Sequence, residues 1–142
     1  MKASDIMSGH VISVGQDESV GTAARLLKRY NLGALPVCDG TGRLRGLVTD
    51  RDIVLRCVAL GGDAETLRVS EIMSRGVVTA DRSESVTEIS ERMAQRQLRR
   101  IPITEGGHIV GMVSLCDLAR RQESRMEAGA ALGSISANLR RF

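Results

Sequence analysis

The sequence predicts a mixed α/β (α+β) fold made of two copies of one β-α-β-β-α unit. The first observation is a repeat: Asp5-Ile6-Met7-Ser8 returns 66 residues later as Glu71-Ile72-Met73-Ser74. The second is that Leu35-Pro36-Val37 returns at the same offset as Ile101-Pro102-Ile103. Paired units of this size usually pack together, so we expect pseudo-twofold symmetry with a ligand cleft between the copies.

Each copy begins with a short strand and continues into an amphipathic helix. The β-branched runs Val11–Val14 and Val77–Ala80 predict the strands. Ser19 precedes the first helix, and Ser85 with Glu88 forms a capping-box pattern at the start of the second. The apolar residues at helical spacing are Val20, Ala23, Ala24 and Leu27 in the first helix, and Val86, Ile89 and Met93 in the second.

The rest of each copy reads as a hairpin followed by a second helix. Pro36 and Pro102 lie near the starts of strands, which predicts edge or first positions because proline cannot donate a ladder hydrogen bond. Glycine-containing turns come next, and they predict tight connections to a return strand. The predicted turns are 39–42 and 105–107, the return strands are 44–48 and 109–113, and the second helices start at Asp50 and Leu115.

The repeat divides the chain into two predicted domains and a tail. Residues 1–60 form the first domain, with a linker over 57–70, and residues 71–121 form the second. Residues 122–142 lie outside the repeat. We expect this tail to be an amphipathic helix that docks on a partner surface, and the alternative is a frayed tail. Its apolar residues at helical spacing are Ala128, Ala131, Leu132, Ile135 and Leu139.

Composition argues against several classes of protein, and it leaves a nucleic-acid or redox protein as a third and weaker hypothesis. The net charge of +3 is too balanced to demand nucleic acid, and stacking aromatics are limited to one Tyr and one Phe. The sequence contains neither an N-terminal signal pattern nor an apolar run long enough for a membrane span. Three widely spaced cysteines suggest neither a disulfide framework nor a metal site. We therefore expect a cytoplasmic protein that uses neither membrane nor metal.

The strongest candidate site is the end of each return strand. Thr49 and Ser114 each precede a carboxylate by three residues, Asp52 in the first copy and Asp117 in the second. Capping chemistry alone explains a hydroxyl and an acid at this spacing. However, Asp is shorter than the usual Glu or Gln, a glycine three residues earlier permits close approach of another body, and amides at a helix start favour phosphate. Hydroxyl, amides and carboxylate together suit a nucleotide, because an acid can bind ribose hydroxyls.

This set of motifs resembles a tandem pair of CBS (cystathionine β-synthase) domains, or Bateman module. The resemblance covers about residues 3–121 through the D/E-I-M-S opening, the apolar-Pro-apolar strand and the closing G-h-h-T/S-x-x-D. It implies a stand-alone regulatory protein that binds an adenine nucleotide or adenosyl compound between the two repeats. The candidate ligands are AMP, ADP, ATP, S-adenosylmethionine and NAD-type molecules, acting as regulatory ligands and not as cofactors.

The resemblance also assigns roles to residues in each copy. Thr49 with Asp52, and Ser114 with Asp117, would hold phosphate or ribose. Arg99 and Arg100 lie before the second proline where the first copy has Gly33-Ala34, so the two sites would differ in charge; Arg51 is a further basic candidate for phosphate. The implied adenine pocket, for which ordinary core packing is the alternative, comprises Val11, Ile12, Leu35 and Pro36 in one copy and Val77, Val78, Ile101 and Pro102 in the other.

The sequence contains no recognisable catalytic residues. Neither a Ser-His-Asp pattern nor a Walker loop is present, and Cys116 at a helix start is only a weak candidate for a redox sensor. We therefore expect a sensor that is not an enzyme, changes shape or association on binding, and signals to an unknown effector protein. The resemblance also implies a homodimer, and the alternative function is a structural homodimerisation module without a physiological ligand.

Overall fold

The computed structural model describes residues 1–121 and 124–137, and its elements follow the repeat. The first half contains α1 (Ala3–Ile6), β1 (Val14–Gly15), α2 (Val20–Tyr30), β2 (Ala34–Cys38), β3 (Leu44–Thr49) and α3 (Asp50–Ile53), which continues as a π-helical segment (Val54–Val58). The second half contains α4 (Val69–Ile72), β4 (Ala80–Asp81), α5 (Val86–Arg96), β5 (Arg100–Glu105), β6 (His108–Ser114), α6 (Leu115–Arg120) and α7 (Arg125–Ala137).

The strands form two three-stranded sheets, in the orders β1-β2-β3 and β4-β5-β6. In each sheet the first strand pairs parallel with the second across an intervening helix, and β2 and β3 form an antiparallel hairpin. The hairpin register places Ala34 opposite Thr49, at the point where the return strand ends. These sheets and helices confirm the mixed α/β class and the β-α-β-β-α order.

The first strand of each sheet is shorter and starts later than the sequence predicts. The predicted strands were Val11–Val14 and Val77–Ala80, whereas β1 and β4 include only the last of these residues and the one that follows. The reason is the extent of the pairing, because β1 meets β2 at only two positions. β-propensity alone does not make a strand where no neighbouring strand is present to pair with.

The prediction that the prolines occupy edge or first positions is wrong. Pro36 is the third residue of β2, which is the central strand of its sheet. β1 reaches only Val37 and Cys38, so one side of β2 has no neighbour at Pro36 that would need an N–H donor. β5 and β4 repeat this arrangement around Pro102, because β4 pairs only with Ile103 and Thr104.

Helices α2 and α5 begin at the predicted caps. The hydroxyl of Ser19 accepts a hydrogen bond from the Thr22 amide, and that of Ser85 accepts one from the Glu88 amide, both at 3.1 Å. The full capping box predicted at Ser85 does not form, because the cap consists of the serine bond alone. The predicted apolar faces are buried except for the half-buried Ala24.

The folded chain divides into two compact units that do not coincide with the two sequence repeats. The unit that contains the β1-β2-β3 sheet comprises Ile12–Val77 with Gly107–Ile109, and we call it the first-sheet unit. The second-sheet unit comprises Met1–Val11, Val78–Gly106 and the chain from Val110 onward. Each unit has its own aliphatic core, and each core includes the opening helix of the other repeat: α4 in the first-sheet unit and α1 in the second-sheet unit.

The C-terminal segment forms a helix, α7, that packs within its own unit. Ala128, Ala131 and Ile135 are buried, and the helix lies against α5 and α6. The expectation that this segment docks on a partner surface is therefore corrected, because the second-sheet unit itself covers its small apolar face. Leu132 is 47% exposed, and Leu139 lies outside the described residues.

Candidate functional site

The first T/S-x-x-D motif lies at the junction of β3 and α3. The Thr49 hydroxyl accepts a hydrogen bond from the Asp52 amide at 3.0 Å, and the Asp52 carboxylate accepts one from the Thr49 amide at 2.9 Å. The second carboxylate oxygen of Asp52 lies 3.6 Å from the guanidinium of Arg56, which also donates to the carbonyl of Ile72. Thr49 and Asp52 therefore form a complete capping box that is braced by an arginine one helical turn further on.

The second motif repeats this geometry at the junction of β6 and α6. The Ser114 hydroxyl accepts from the Asp117 amide at 3.1 Å, and the Asp117 carboxylate accepts from the Ser114 amide at 2.8 Å. Arg120 lies 3.9 Å from the other carboxylate oxygen of Asp117. At the first residue of α6, the Leu115 amide donates to the carbonyl of Arg99 and so holds the Arg99 backbone beside the motif.

Two sequence arguments for a ligand at these junctions are corrected by the structure. Aspartate is long enough to complete both capping boxes, so its presence in place of glutamate does not itself indicate a ligand. The body that approaches Gly46 and Gly111 is the chain itself. A Cβ at Gly46 would lie 2.7 Å from the carbonyl oxygen of Ser74, and one at Gly111 would lie 2.5 Å from the sulfur of Met7. The case for a ligand must therefore rest on the space and charge around the motifs.

A cavity of about 300 Å³ opens beside the second motif. Its walls come from the start of β5, the first turns of α6 and one side chain of α7. Arg99 is exposed and Arg100 is half-buried, and within residues 1–121 and 124–137 neither guanidinium forms a salt bridge. The lining residues are Arg99, Arg100, Ser114, Leu115, Cys116, Ala119 and Leu132. Two unpaired arginines in one cavity can bind a phosphate through charge-assisted hydrogen bonds. The Ser114 hydroxyl donates to the Asp117 carboxylate at 2.9 Å, and it joins them only by turning its proton to the phosphate.

The first motif has a different charge around it. The residues before Pro36 that correspond to the two arginines are Gly33 and Ala34, and the Asp50 amide donates to the carbonyl of Gly33. Arg51 is exposed on α3, two residues from Thr49. The two motifs thus share their capping geometry but differ in the positive charge that lies beside them.

The residues predicted for an adenine pocket fall into two groups. Leu35 and Ile101 are completely buried in the cores of their units, and Pro36 and Pro102 are buried beside them in the central strands. The surroundings of these four residues match ordinary core packing, which is the alternative to an adenine pocket. The half-buried residues, which retain some exposed surface, are Val11, Ile12, Val77 and Val78.

Four wall residues of the cavity were not among the ligand-site residues predicted from sequence: Leu115, Cys116, Ala119 and Leu132. Leu132 was identified only by its helical spacing in the tail, and Ala119 lies one turn beyond Leu115 on α6. The thiol of Cys116 lines the cavity and is exposed, whereas Cys38 and Cys57 are buried. Burial raises the pKa of the Cys38 thiol above its ordinary value. The only sequence feature that indicated Ala119 and Leu132 was the 3.6-residue period of their helices.

Neither a metal cluster nor a membrane span occurs in the described part of the chain. Residues 1–121 and 124–137 contain no group of three His, Cys, Asp or Glu side chains that could hold a metal ion. Over the same residues, every helix is too short or too polar to cross a bilayer.

Comparison with known proteins defines the class. The sequence model of the CBS domain matches residues 3–58 and 69–124, so the chain belongs to the CBS domain family and carries two copies of the domain. Among curated proteins it is similar to CBS domain-containing protein YhcV of Bacillus subtilis (strain 168). The two are 44% identical over 132 residues, which cover 93% of each chain.

Solved structures of CBS pairs share this fold. One is Hypoxic Response Protein I with two coordinated zinc ions, which is 36% identical, has a TM-score of 0.79, and is matched over 85% of this chain and 98% of its own. Another is the CBS domain pair of protein MJ0100 in complex with 5′-methylthioadenosine and S-adenosyl-L-methionine. It is 30% identical with a TM-score of 0.73, over 84% of this chain and 94% of its own.

Proposed function

We propose that this protein is a regulatory sensor that binds an adenine nucleotide or adenosyl compound at the second T/S-x-x-D motif. The observation that carries the proposal is the cavity that contains Arg99, Arg100 and the Ser114 hydroxyl. A volume of about 300 Å³ is at the lower end of the range for small-molecule sites. The cavity offers cationic donors for a phosphate and apolar wall for the rest of a ligand.

The chemistry of the cavity favours an anionic ligand. A guanidinium group without an acidic partner has free N–H donors, and two adjacent guanidinium groups can bind two sides of one phosphate. The Asp117 carboxylate keeps acceptor capacity after capping, because each of its oxygens carries two lone pairs. Asp117 caps α6 beside the cavity without lining it, so it would accept from the ribose hydroxyls of a ligand that extends past Ser114. The first motif lacks the arginine pair, so a less anionic adenosyl group suits it better.

Related proteins support an adenosyl ligand. The CBS pair of protein MJ0100 was crystallised with 5′-methylthioadenosine and S-adenosyl-L-methionine. The ligand of the present chain could be any of AMP, ADP, ATP, S-adenosylmethionine or NAD-type compounds. Binding would act by population shift, since a ligand that prefers one arrangement of the protein raises the share of that arrangement. This function is regulatory and requires no catalytic residue of the chain.

A second candidate function is homodimer assembly, and a surface of the first-sheet unit favours it. The π-helical segment and the turn after it expose several large apolar side chains, with Leu60 at 77% exposed. Such side chains grouped on one segment are typical of a protein–protein contact. The residues are Val54, Leu55, Val58 and Leu60. Sedimentation at several protein concentrations, with and without nucleotide, would show whether assembly occurs and whether it responds to a ligand.

The test is a thermal-shift panel on ligand-stripped protein with AMP, ADP, ATP, NADH and S-adenosylmethionine. A ligand present at 100 times its dissociation constant should stabilise the protein by about 2.7 kcal/mol. The key variant is Ser114→Ala, and the matched control is Ser85→Ala, which also removes a cap hydroxyl but lies away from the cavity. Each should lower the unfolding free energy by about 1 kcal/mol. Only Ser114→Ala should also lose the ligand-induced shift.

Charge variants separate the two motifs. Arg99→Gln with Arg100→Gln should abolish the shift for phosphorylated compounds, whereas Asp52→Ala should leave that shift in place. If no compound shifts the wild-type protein, the sensor function is refuted and homodimer assembly becomes the better proposal.

A further inference from the structure

One wall of the arginine cavity comes from outside the CBS repeats. The family match ends at residue 124, and α7 begins at Arg125. Leu132, on the second half of α7, lines the same cavity as Arg99, Arg100 and Ser114. The cavity beside the second motif is therefore bounded partly by an element that the repeat does not supply.

Helix α7 contacts α5 and α6 along its length but buries little apolar side chain for a helix of 13 residues. Two of its three buried side chains are alanines, which contribute little apolar area. Gly129 and Gly133 lie within the helix, and each lowers helix stability by about 1 kcal/mol relative to alanine. Elements that bury little apolar area are among the first to open in native proteins, so undocking of α7 should cost less than global unfolding.

We propose that α7 is the element that responds to ligand at the second motif, with Leu132 as its contact to the ligand. A ligand held by Arg99 and Arg100 that fills the cavity also touches Leu132, and undocking of α7 removes that contact. The ligand therefore binds the docked state more tightly and holds α7 in place. This inference rests on the proposed function, and it adds which element changes on binding.

Hydrogen–deuterium exchange of α7 tests this coupling. The ligand is whichever panel compound shifts the wild-type protein, and exchange of residues 125–137 is measured with and without it. Removal of a half-exposed leucine contact should weaken binding about fivefold. Because coupling is reciprocal, the same ligand should slow exchange in α7 by at least about fivefold.

The matched variants are Leu132→Ala and Met126→Ala. Both shorten an apolar side chain on α7, but Met126 is 87% exposed and does not line the arginine cavity. We expect Leu132→Ala to raise the dissociation constant about fivefold and to remove most of the ligand effect on α7 exchange. Met126→Ala should change neither. Alkylation of Cys116, the exposed thiol in the same cavity, should slow on ligand binding in the wild type and slow less in Leu132→Ala.

The outcomes separate the two proposals. If a compound binds but α7 exchange is unchanged, or if Leu132→Ala binds it as well as Met126→Ala does, the coupling is refuted and the sensor function stands. If no compound of the panel binds, both proposals fail.

Discussion

At the scale of single residues, two glycines explain why the D/E-I-M-S opening recurs. Gly46 lies in β3 beside Ser74, whose amide and carbonyl form hydrogen bonds with Leu47. Gly111 lies in β6 beside Met7, and Ser8 bonds with Met112 in the same manner. In both places the opening segment pairs with the outer edge of a return strand. Only glycine, which has no side chain, allows the two backbones to approach so closely.

Alanine at these glycines should destabilise the protein by different amounts. A Cβ at Gly46 would meet the carbonyl oxygen of Ser74, which the backbone bonds hold in place, whereas a Cβ at Gly111 would meet only the flexible side chain of Met7. We expect Gly46→Ala to cost about 1 to 3 kcal/mol and Gly111→Ala to cost less. Urea unfolding at constant pH measures both.

Gly40→Ala is the matched control, because a Cβ there has no neighbour within 4 Å. Its effect should stay within about 0.5 kcal/mol. Equal midpoints for Gly46→Ala and Gly40→Ala would show that β3 and the opening segment do not pack this closely.

At the scale of elements, the sequence predicts best the parts whose signal is local. Helices α2 and α5 follow from a serine cap and an apolar face, and both return strands end where a hydroxyl and a carboxylate start the next helix. The limits of the short strands β1 and β4 could not be predicted, because they depend on which residues of the central strand have a partner. The same dependence allows Pro36 a place inside a central strand.

The candidate site was predictable in part. The hydroxyl–carboxylate pairs are visible in the sequence because they occupy equivalent positions in the two repeats, and the arginine pair is visible because it replaces the Gly33-Ala34 of the first copy. The cavity itself could not be predicted from the sequence. It depends on how α7 lies over α6 and on Leu132 lining the same space as the arginines. Contacts between distant segments leave no periodic trace in a single sequence.

The turn between β2 and β3 gives a prediction about pH. The Thr41 hydroxyl and the Arg45 guanidinium bond to the Asp39 carboxylate, and with backbone amides of the turn they hold its pKa well below the ordinary value. The unfolded chain therefore takes up a proton on Asp39 at higher pH than the folded chain does. The stabilisation is complete above the ordinary pKa of about 4 and is lost as the pH falls below it.

Unfolding midpoints measured from pH 6 down to pH 2.5 should thus fall less steeply in Asp39→Asn than in the wild type. Arg45→Gln should give an intermediate slope, because it removes one of the two side-chain partners of Asp39. Parallel profiles for the wild type and Asp39→Asn would contradict this account of the turn.

At the scale of the whole molecule, the important feature is that the compact units cross the boundaries of the repeats. Ile6 belongs to the first repeat but is buried in the core of the second-sheet unit, and Ile72 belongs to the second repeat but is buried in the core of the first-sheet unit. Backbone bonds accompany both exchanges, from the Ala3 amide to Glu84 and from the Val69 amide to Glu18. Each repeat therefore completes the core that contains the sheet of the other.

This arrangement predicts opposite effects for two equivalent substitutions. Ile6→Ala and Ile72→Ala each remove a buried side chain and should cost about 2 to 4 kcal/mol. Ile6→Ala should speed amide exchange in β5 more than in β2, and Ile72→Ala should do the reverse. If each variant instead loosens the sheet of its own repeat, the division into units is wrong.

The exchange of opening helices has a consequence for inheritance. A recombination event that deletes either repeat would also remove one wall from the core that survives, and a gene fusion that transfers a single repeat would transfer an incomplete domain. Two separate single-repeat chains could complete their cores only by exchanging their first helices. The duplicated pair is therefore the smallest piece of this chain that carries two complete cores.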